Sequence, residues 1–311
     1  MKNKLDIIYT YKTIADGKSN RPKDKGYTKG LVDGVWKLAK LSVEQAKLFG
    51  NVKMFCDSES YTKFHNSDIV FDELIHCHEL DEFDTHHWGL HKLMVMRDQH
   101  NPYLHIDLDT ILLKPPKINP NVDVTFGFKA WDFRVGHNIK WDEIDYVYNV
   151  YVSNFKKYHL DSWRFYKKTK TQEHDEDIID FGIQPSLSYV QVNNPIAVRK
   201  AVKETLILAK PCLDIDDNDL NQYLEQFTFF TMLKKWVENP IEYVVTSDEY
   251  VVDGLDGEME GNDLNHIKNL DYLQHLDFVH LAASHLLPSK DLDIVINKIK
   301  RISKIHNGPK I

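Results

Sequence analysis

The stretch of sequence that decides the fold is Asn101-Pro-Tyr-Leu-His-Ile-Asp107-Leu-Asp109-Thr-Ile-Leu-Leu-Lys-Pro-Pro116. Its apolar run over residues 103–106 predicts a buried strand, and two carboxylates separated by one residue follow where the strand gives way to a loop. In an open α/β sheet, ligands bind outside the carboxyl ends of the strands. If the backbone stays extended there, Asp107 and Asp109 face the same side and can share one cation. Oxygen ligands of this kind suit Mg²⁺ or Mn²⁺, which take substrate phosphates as further ligands. The plain alternative is a pair of solvated turn aspartates.

The residues before this stretch alternate between strand and helix patterns. Helical spacing of apolar residues predicts helices over 31–49, where Gly50 ends the helix, and over 88–100. Short β-rich runs predict strands at 5–11, 52–56 and 103–106, a polar turn at 57–60, and extended pieces at 68–71 and 74–76. This alternation predicts an α/β fold with a mostly parallel central sheet and flanking helices.

The second half of the chain is less regular, but it offers no linker at which to divide it. Strands are predicted at 122–128, 190–192, 243–245, 250–252 and 278–281, and helices at 196–208, 220–236 and 291–305. We therefore expect a single domain over residues 1–311 with an elaborated C-terminal half.

Composition excludes several classes of protein. The chain has 311 residues, a formal charge of −8, 42% hydrophobic and 28% charged residues, and three cysteines. This balance argues against disorder, a disulfide framework and a domain-wide nucleic-acid surface. No apolar run reaches the roughly 18–20 residues of a membrane helix. The expectation is a soluble, cytoplasmic protein.

Four features in order resemble the nucleotide-sugar glycosyltransferases of the GT-A fold, most closely the family 8 group of glycogenin and the LgtC-type galactosyltransferases. They are a first strand ending in Tyr9-Thr10-Tyr11, a basic residue one helix before the paired aspartates (Lys92), Asp107-Leu108-Asp109 followed by Thr110, and the late segment Phe278-Val-His280-Leu-Ala-Ala-Ser-His285. The resemblance implies a GT-A type domain with a Rossmann-like sheet. It also implies a nucleoside diphosphate sugar donor, commonly a UDP-sugar, and a Mn²⁺ or Mg²⁺ cofactor.

Site residues follow from the same resemblance. It implies metal ligands at Asp107, Asp109 and His280, with His285 as the competing histidine. It implies donor contacts at Tyr9, Thr10, Tyr11, Lys92, Asp107, Leu108 and Lys290, and catalytic roles at Glu225, Gln226 and Gln184. In this picture residues 1–117 bind the nucleotide, residues 118–290 bind the sugar and acceptor, and 291–311 form a C-terminal helix. The family's glycine after the late histidine is Ala283 here, and Leu287-Pro-Ser-Lys290 replaces its Lys-Pro-Trp. Retention and inversion both remain open, since a Glu225 general base would favour inversion and the family favours retention.

Two other functions fit parts of the pattern. Ile106-Asp-Leu-Asp-Thr110 also matches the signature of haloacid-dehalogenase-type phosphatases, in which Asp107 would be the nucleophile, Asp109 the general acid and Asp216-Asp217 the downstream acidic pair. A non-catalytic nucleotide-sugar binding module is the third possibility. The favoured acceptor is a glycan or glycolipid, with protein or modified DNA as alternatives. The histidines of His76-Cys-His78 and of His87 with His91 are interpreted as solvated or packing residues.

Overall fold

A seven-stranded mixed sheet organises the part of the chain that the structure describes. The structure is a computed structural model, and it describes residues 4–12, 33–83, 88–127, 129–132, 168–170, 177–179, 183–210, 213, 223–243, 247–249, 274–281 and 289–307. From one edge to the other, its strands are β12 (Ile241–Tyr243), β6 (Val124–Phe126), β11 (Tyr189–Val192), β4 (Tyr103–Ile106), β1 (Leu5–Tyr11), β2 (Gly50–Cys56) and β3 (Glu73–His76), numbered in chain order. Six of these strands run in one direction, and β11 runs antiparallel between β4 and β6. The predicted α/β fold with a mostly parallel sheet is confirmed.

The elements of the first half follow the predicted alternation. Their bounds are β1 Leu5–Tyr11, α1 Asp33–Ala46, β2 Gly50–Cys56, α2 Ser58–His65, β3 Glu73–His76, α3 His78–Glu82, α4 Trp88–Arg97, β4 Tyr103–Ile106, β5 Thr110–Leu112 and β6 Val124–Phe126. All four residues of β4 are buried, because the strand lies between β1 and β11 and both faces of the sheet are covered.

Among its described residues, the second half adds shorter strands and three further helical regions. Their bounds are β7 Lys129–Asp132, β8 Lys168–Lys170, β9 Asp177–Ile179, β10 Ile183–Pro185, β11 Tyr189–Val192, α5 Pro195–Ala209, a π-helical segment Tyr223–Thr228 running into α6 Phe229–Trp236, β12 Ile241–Tyr243, β13 Ser247–Glu249, β14 Phe278–His280 and α7 Ser289–Asn307. No helix in the described ranges is both long and apolar enough to cross a membrane.

Two apolar cores lie on opposite faces of the sheet. On one face, Ile8 and Tyr103 pack with the buried sides of α4, α5 and α6. On the other face, Ile7 and Leu104 pack with α1 and α2. Neighbouring residues of a strand point to opposite faces, so β1 and β4 each contribute to both cores. A third cluster joins α1 and β5 to α7, whose buried residues include the predicted Leu292, Val295, Ile299 and Ile302.

Several local predictions were wrong in instructive ways. Gly50 does not follow a helix end directly but begins β2, where an added Cβ would lie 2.5 Å from the backbone oxygen of Leu5. The predicted polar turn at 57–60 is the start of α2, because the Asp57 side chain caps it by accepting from the N–H of Ser60. Residues 68–71 form no strand. The strand predicted at 250–252 lies outside the described residues.

A second, three-stranded sheet of order β13-β14-β5 continues from the paired aspartates. Strand β14 runs antiparallel to β5, with His280 opposite Thr110 and Val279 opposite Ile111. The chain therefore leaves the central sheet at β4, turns through residues 107–109, and enters the smaller sheet at β5. The turn lies at the junction of the two sheets.

Candidate active site

A hydrogen bond within the turn, and others to Ser188 and to Ser42 of α1, hold the turn that carries Asp107 and Asp109. The N–H of Thr110 donates to the Asp107 carbonyl (3.0 Å), which closes the turn, and the N–H of Asp107 donates to the carbonyl of Ser188 (3.0 Å). The Thr110 hydroxyl also donates to the Ser188 carbonyl, and Ser42 of α1 donates to the Thr110 carbonyl at 2.6 Å. The backbone is thus a tight turn, so the extended geometry under which the two aspartates would face the same side is not the one observed. This turn nevertheless brings both carboxylates to one site.

His280 reaches the same site through the pairing of β14 with β5. The N–H of Leu281 donates to the carbonyl of Asp109 (2.9 Å), and Nε2 of His280 lies 3.3 Å from Oδ1 of Asp109. One potential ligand atom from each of Asp107, Asp109 and His280 lies within 4.8 Å of the other two. The structure therefore brings the three predicted ligands together, while His285 lies outside the described residues.

Lys92 of α4 connects the paired aspartates to a second buried carboxylate. Its ammonium donates to Oδ2 of Asp107 at 2.7 Å and to Oε1 of Glu225 at 3.2 Å. Burial alone would lower the pKa of Lys92, but attraction to the two carboxylates outweighs it and raises that pKa above its ordinary value. Lys92 is therefore positively charged at neutral pH.

Glu225 is almost completely buried, with its side chain 2% exposed. Burial raises its pKa, attraction to Lys92 opposes this, and repulsion from Asp107 adds to it. Its Oε2 atom has no hydrogen-bond partner among the described residues. The carboxylate can approach α4 this closely because residue 89 is a glycine, and a Cβ added there would lie 2.5 Å from Oε2. Glu225 lies in the π-helical segment, an irregularity that is frequent at functional sites.

His105 is a buried site residue that sequence reasoning missed. It lies on β4 and is fully buried, with Nε2 3.1 Å from the hydroxyl of Thr10. Burial, together with the charge of Lys92, lowers the pKa of His105 to about 3, so the ring is neutral. A histidine within an otherwise apolar strand was the signal that could have indicated it.

The other predicted site residues have varied positions. Tyr9 is fully buried with its hydroxyl 2.8 Å from that of Ser42, so in this structure it packs in the core beneath the turn. Tyr11 is also buried, edge-on to Phe64. Leu108 packs on the α1/α2 core, Gln226 follows Glu225 and is partly exposed, and Lys290 is exposed in the first turn of α7. Gln184 belongs to β10, but its side chain lies outside the described residues.

Structural comparison finds similarity over most of the chain to two glycosyltransferases. Mouse xyloside xylosyltransferase 1, in its apo form, matches with a TM-score of 0.40 and 10% identity, covering 91% of this chain and 99% of that one. PaToxG glycosyltransferase matches with a TM-score of 0.35 and 11% identity, covering 97% of this chain and 87% of that one. No family model and no curated protein matches the sequence. Both similarities are distant, at 10% and 11% identity.

The donor set of this site fits a divalent cation. Two carboxylates and one imidazole supply three ligands, and Mn²⁺ or Mg²⁺ would complete its coordination with water or with phosphate oxygens. Lys92 occupies one oxygen of Asp107, but a carboxylate offers a second oxygen and can contact an ammonium and a metal together. The site thus combines a place for a cation, a fixed ammonium and a buried carboxylate.

Proposed function

We propose that this protein is a metal-dependent glycosyltransferase that moves a sugar from a nucleoside diphosphate to an acceptor hydroxyl. The observation that carries this proposal is the convergence of Asp107, Asp109 and His280 beside the buried Lys92–Glu225 pair. The carboxyl ends of β1 and β4, which are neighbours in the sheet, form the edge at which a ligand would lie.

Asp107, Asp109 and His280 would hold Mn²⁺ or Mg²⁺. When bound, the cation would supply positive charge to the departing diphosphate. Lys92 fixes the Asp107 carboxylate and would add a second positive charge beside the cation. Because Lys92 already pairs with two carboxylates, its place is set before any ligand arrives, which is the preorganisation that electrostatic catalysis requires.

Glu225 would act beside the reacting carbon of the sugar. Its Oε1 is held by Lys92, and its buried Oε2 lies against Gly89 of α4. A carboxylate in this position can accept a proton from an acceptor hydroxyl or stabilise positive charge on the sugar ring; the first role gives inversion and the second is compatible with retention. Gln226, and Gln184 of β10, are the proposed hydrogen-bonding partners for the sugar hydroxyls.

The donor is proposed to be a UDP-sugar and the acceptor a glycan or glycolipid. The three converging ligands would hold the cation that binds the diphosphate, and the choice of UDP rests on the resemblance of the sequence to the family 8 enzymes. Thr10, Tyr11 and Leu108 adjoin the ends of β1 and β4 and are proposed to line the nucleotide side, and Lys290 is proposed as a further contact to the diphosphate.

Thermal stabilisation by nucleotides tests the proposal. A ligand that binds only the folded state stabilises it by about 2.7 kcal/mol at a hundredfold excess over its dissociation constant. We expect UDP or another nucleoside diphosphate to raise the Tm in the presence of Mn²⁺ and to have little effect without it. Asp109→Asn should abolish the Mn²⁺-dependent part and sugar transfer, while Asp68→Asn, at an exposed carboxylate on the α1 side, should change neither.

Three other results would contradict the proposal, each in a different way. Persistence of the Mn²⁺-dependent shift in Asp109→Asn would contradict the assigned ligands. Hydrolysis of a generic phosphoester, with no response to any nucleotide, would favour the phosphatase. Nucleotide binding without transfer to any acceptor class would favour a binding module.

A further inference from the structure

A second group of metal-ligating side chains lies at the outer edge of the central sheet. His76 is the last residue of β3, His78 is the first residue of α3, and Asp81 follows one helical turn later. One potential ligand atom from each lies within 4.8 Å of the other two. Nε2 of His76 is 2.5 Å from Oδ2 of Asp81, Nδ1 of His78 is 4.0 Å from the same oxygen, and the two imidazole rings are 4.2 Å apart.

The backbone that carries these residues is fixed independently of their side chains. The N–H of Cys77 donates to the carbonyl of Cys56 at 2.8 Å, and the N–H of Leu80 donates to the carbonyl of Cys77 at 3.0 Å. The short helix α3 is also tied to the end of β1, because the ammonium of Lys12 donates to the carbonyls of Leu80 and Phe83. The end of β3 and the helix α3, which carry the three potential ligands, are therefore fixed relative to each other by backbone hydrogen bonds.

The Asp81 carboxylate is held in place by a backbone N–H, as a metal ligand is held by an outer-shell partner. Its Oδ1 accepts a hydrogen bond from the N–H of Ser58 at 2.8 Å, which leaves Oδ2 directed at the histidines. Hydrogen bonds that fix a ligating carboxylate are a regular feature of metal sites.

We propose that His76, His78 and Asp81 form a binding site for a borderline transition-metal ion, with Zn²⁺ as the preferred occupant. Two imidazoles and one carboxylate are a ligand set of zinc sites in which the protein supplies three ligands and the fourth position is left to water or substrate. Ligand atoms around a tetrahedral zinc lie about 3.4 Å apart, given metal–ligand distances of about 2.1 Å. The His76–Asp81 pair must therefore open by about 1 Å, and His78, whose side chain is 84% exposed, can swing toward Asp81.

This site differs from the one at Asp107 in both position and metal preference. Strand β3 is the outer strand of the sheet and is separated from β4 by β2 and β1. Three strand spacings place the two sites roughly 14 Å apart along the same edge. The outer site offers two nitrogens and one oxygen and therefore favours Zn²⁺ over Mn²⁺ or Mg²⁺. Its existence does not depend on the proposed glycosyltransferase activity.

Zinc binding to site-directed variants tests the proposal. The full chain carrying Asp109→Asn, which removes one ligand of the other cluster, is dialysed against Zn²⁺ and its zinc content is measured by mass spectrometry. We expect one equivalent of zinc to remain in this background. Adding His78→Asn should weaken binding by more than about 10-fold, because loss of an outer-shell partner alone costs that much. Adding His76→Asn as well should abolish binding.

A matched control and a spectroscopic measurement make the outcome decisive. His65→Asn changes an exposed histidine that stacks on Tyr61, a ring that also contacts His76, and it should leave zinc binding unchanged. Retained zinc in the double histidine variant, or no zinc in the Asp109→Asn background, would overturn the proposal. So would a cobalt–sulfur charge-transfer band after Co²⁺ substitution, because it would show that Cys77 or Cys56 is a ligand. Circular dichroism of each variant would confirm that the fold is kept.

Discussion

Replacement of Lys92 by Met should remove the one positive charge that the described structure places between Asp107 and Glu225. Met keeps most of the length and the apolar stem of Lys, so the packing of α4 changes little. The ammonium is lost, and with it the 2.7 Å and 3.2 Å contacts to the two carboxylates. Breaking a buried ion pair from one side costs about 3–5 kcal/mol. We expect about 3 kcal/mol, at the lower end, because the Asp107 side chain is 19% exposed and can regain water, whereas that of Glu225 is only 2% exposed.

The second substitution Glu225→Gln should recover part of this loss. A neutral amide leaves no unpaired charge at the more deeply buried position, so the double variant should be more stable than Lys92→Met alone. The two effects should be non-additive by more than about 1 kcal/mol, as expected for residues in direct contact. Urea denaturation of the wild type, both single variants and the double variant gives this coupling.

The pH dependence of Lys92→Met provides an independent measure. The pKa values of Asp107 and Glu225 are already raised by burial, with Lys92 opposing the rise. Without Lys92 the folded protein binds protons at these carboxylates more readily than the unfolded chain does. Its stability should therefore increase as the pH falls from 7 toward 5, and its deficit relative to wild type should shrink. A deficit below about 1 kcal/mol at pH 7 with no change on acidification would refute this reasoning.

Three further substitutions test other contacts by urea denaturation. Gly89→Ala should lower the free energy of unfolding by about 1–2 kcal/mol, because its Cβ would lie 2.7 Å from that of Glu225. The control is Gly34→Ala, at the second position of α1 as Gly89 is of α4; it should be neutral or raise the free energy of unfolding by up to about 1 kcal/mol through helix propensity. Equal effects of the two substitutions would contradict the clash with Glu225. Ser42→Ala should lower the free energy of unfolding by about 2 kcal/mol, because the buried hydroxyl of Tyr9 and the buried carbonyl of Thr110 both lose their hydrogen bond to Ser42. An unchanged free energy of unfolding would show that the Asp107 turn does not need this support. Asp123→Ala should also cost about 2 kcal/mol at pH 7, because the carboxylate accepts three hydrogen bonds from the turn before β12. Burial alone would raise the pKa of Asp123, but these N–H donors outweigh it and lower that pKa. The contribution of the ionised carboxylate is therefore fully present above the ordinary carboxyl pKa of about 3.9 and is lost as the pH falls from there through the lowered pKa of the folded protein. The difference from wild type should shrink over that range, and a difference independent of pH would contradict this.

Local sequence patterns are sufficient for most helices and strands near the site. The strand at 103–106 and the helices beginning at Trp88 and near Pro195 are predicted because burial imposes a period on apolar residues along one element. Element ends are less accurate, since capping contacts decide them. The polar run at Asp57 predicts a turn, and only the hydrogen bond from the N–H of Ser60 to Asp57 shows that a helix begins there.

The π-helical segment and the proposed zinc site at His76, His78 and Asp81 show the limits of such patterns. An apolar period predicts a helix over 220–236 but does not distinguish α from π geometry, which positions Glu225. The sequence favours solvated roles for His76 and His78 because no metal-binding framework is visible in it. Their third potential ligand, Asp81, reaches them only because α3 folds back beside the end of β3.

By itself the sequence determined the α/β class and placed Asp107 and Asp109 after a buried strand, because both depend on residues that are neighbours along the chain. Only the tertiary structure decided which distant groups join them. His280 lies opposite Thr110 because β14 pairs with β5, and Lys92 meets Glu225, 133 residues away, because α4 and the π-helical segment pack on the same face of the sheet. Such contacts depend on strand order and helix packing, which the apolar pattern of a single segment does not encode.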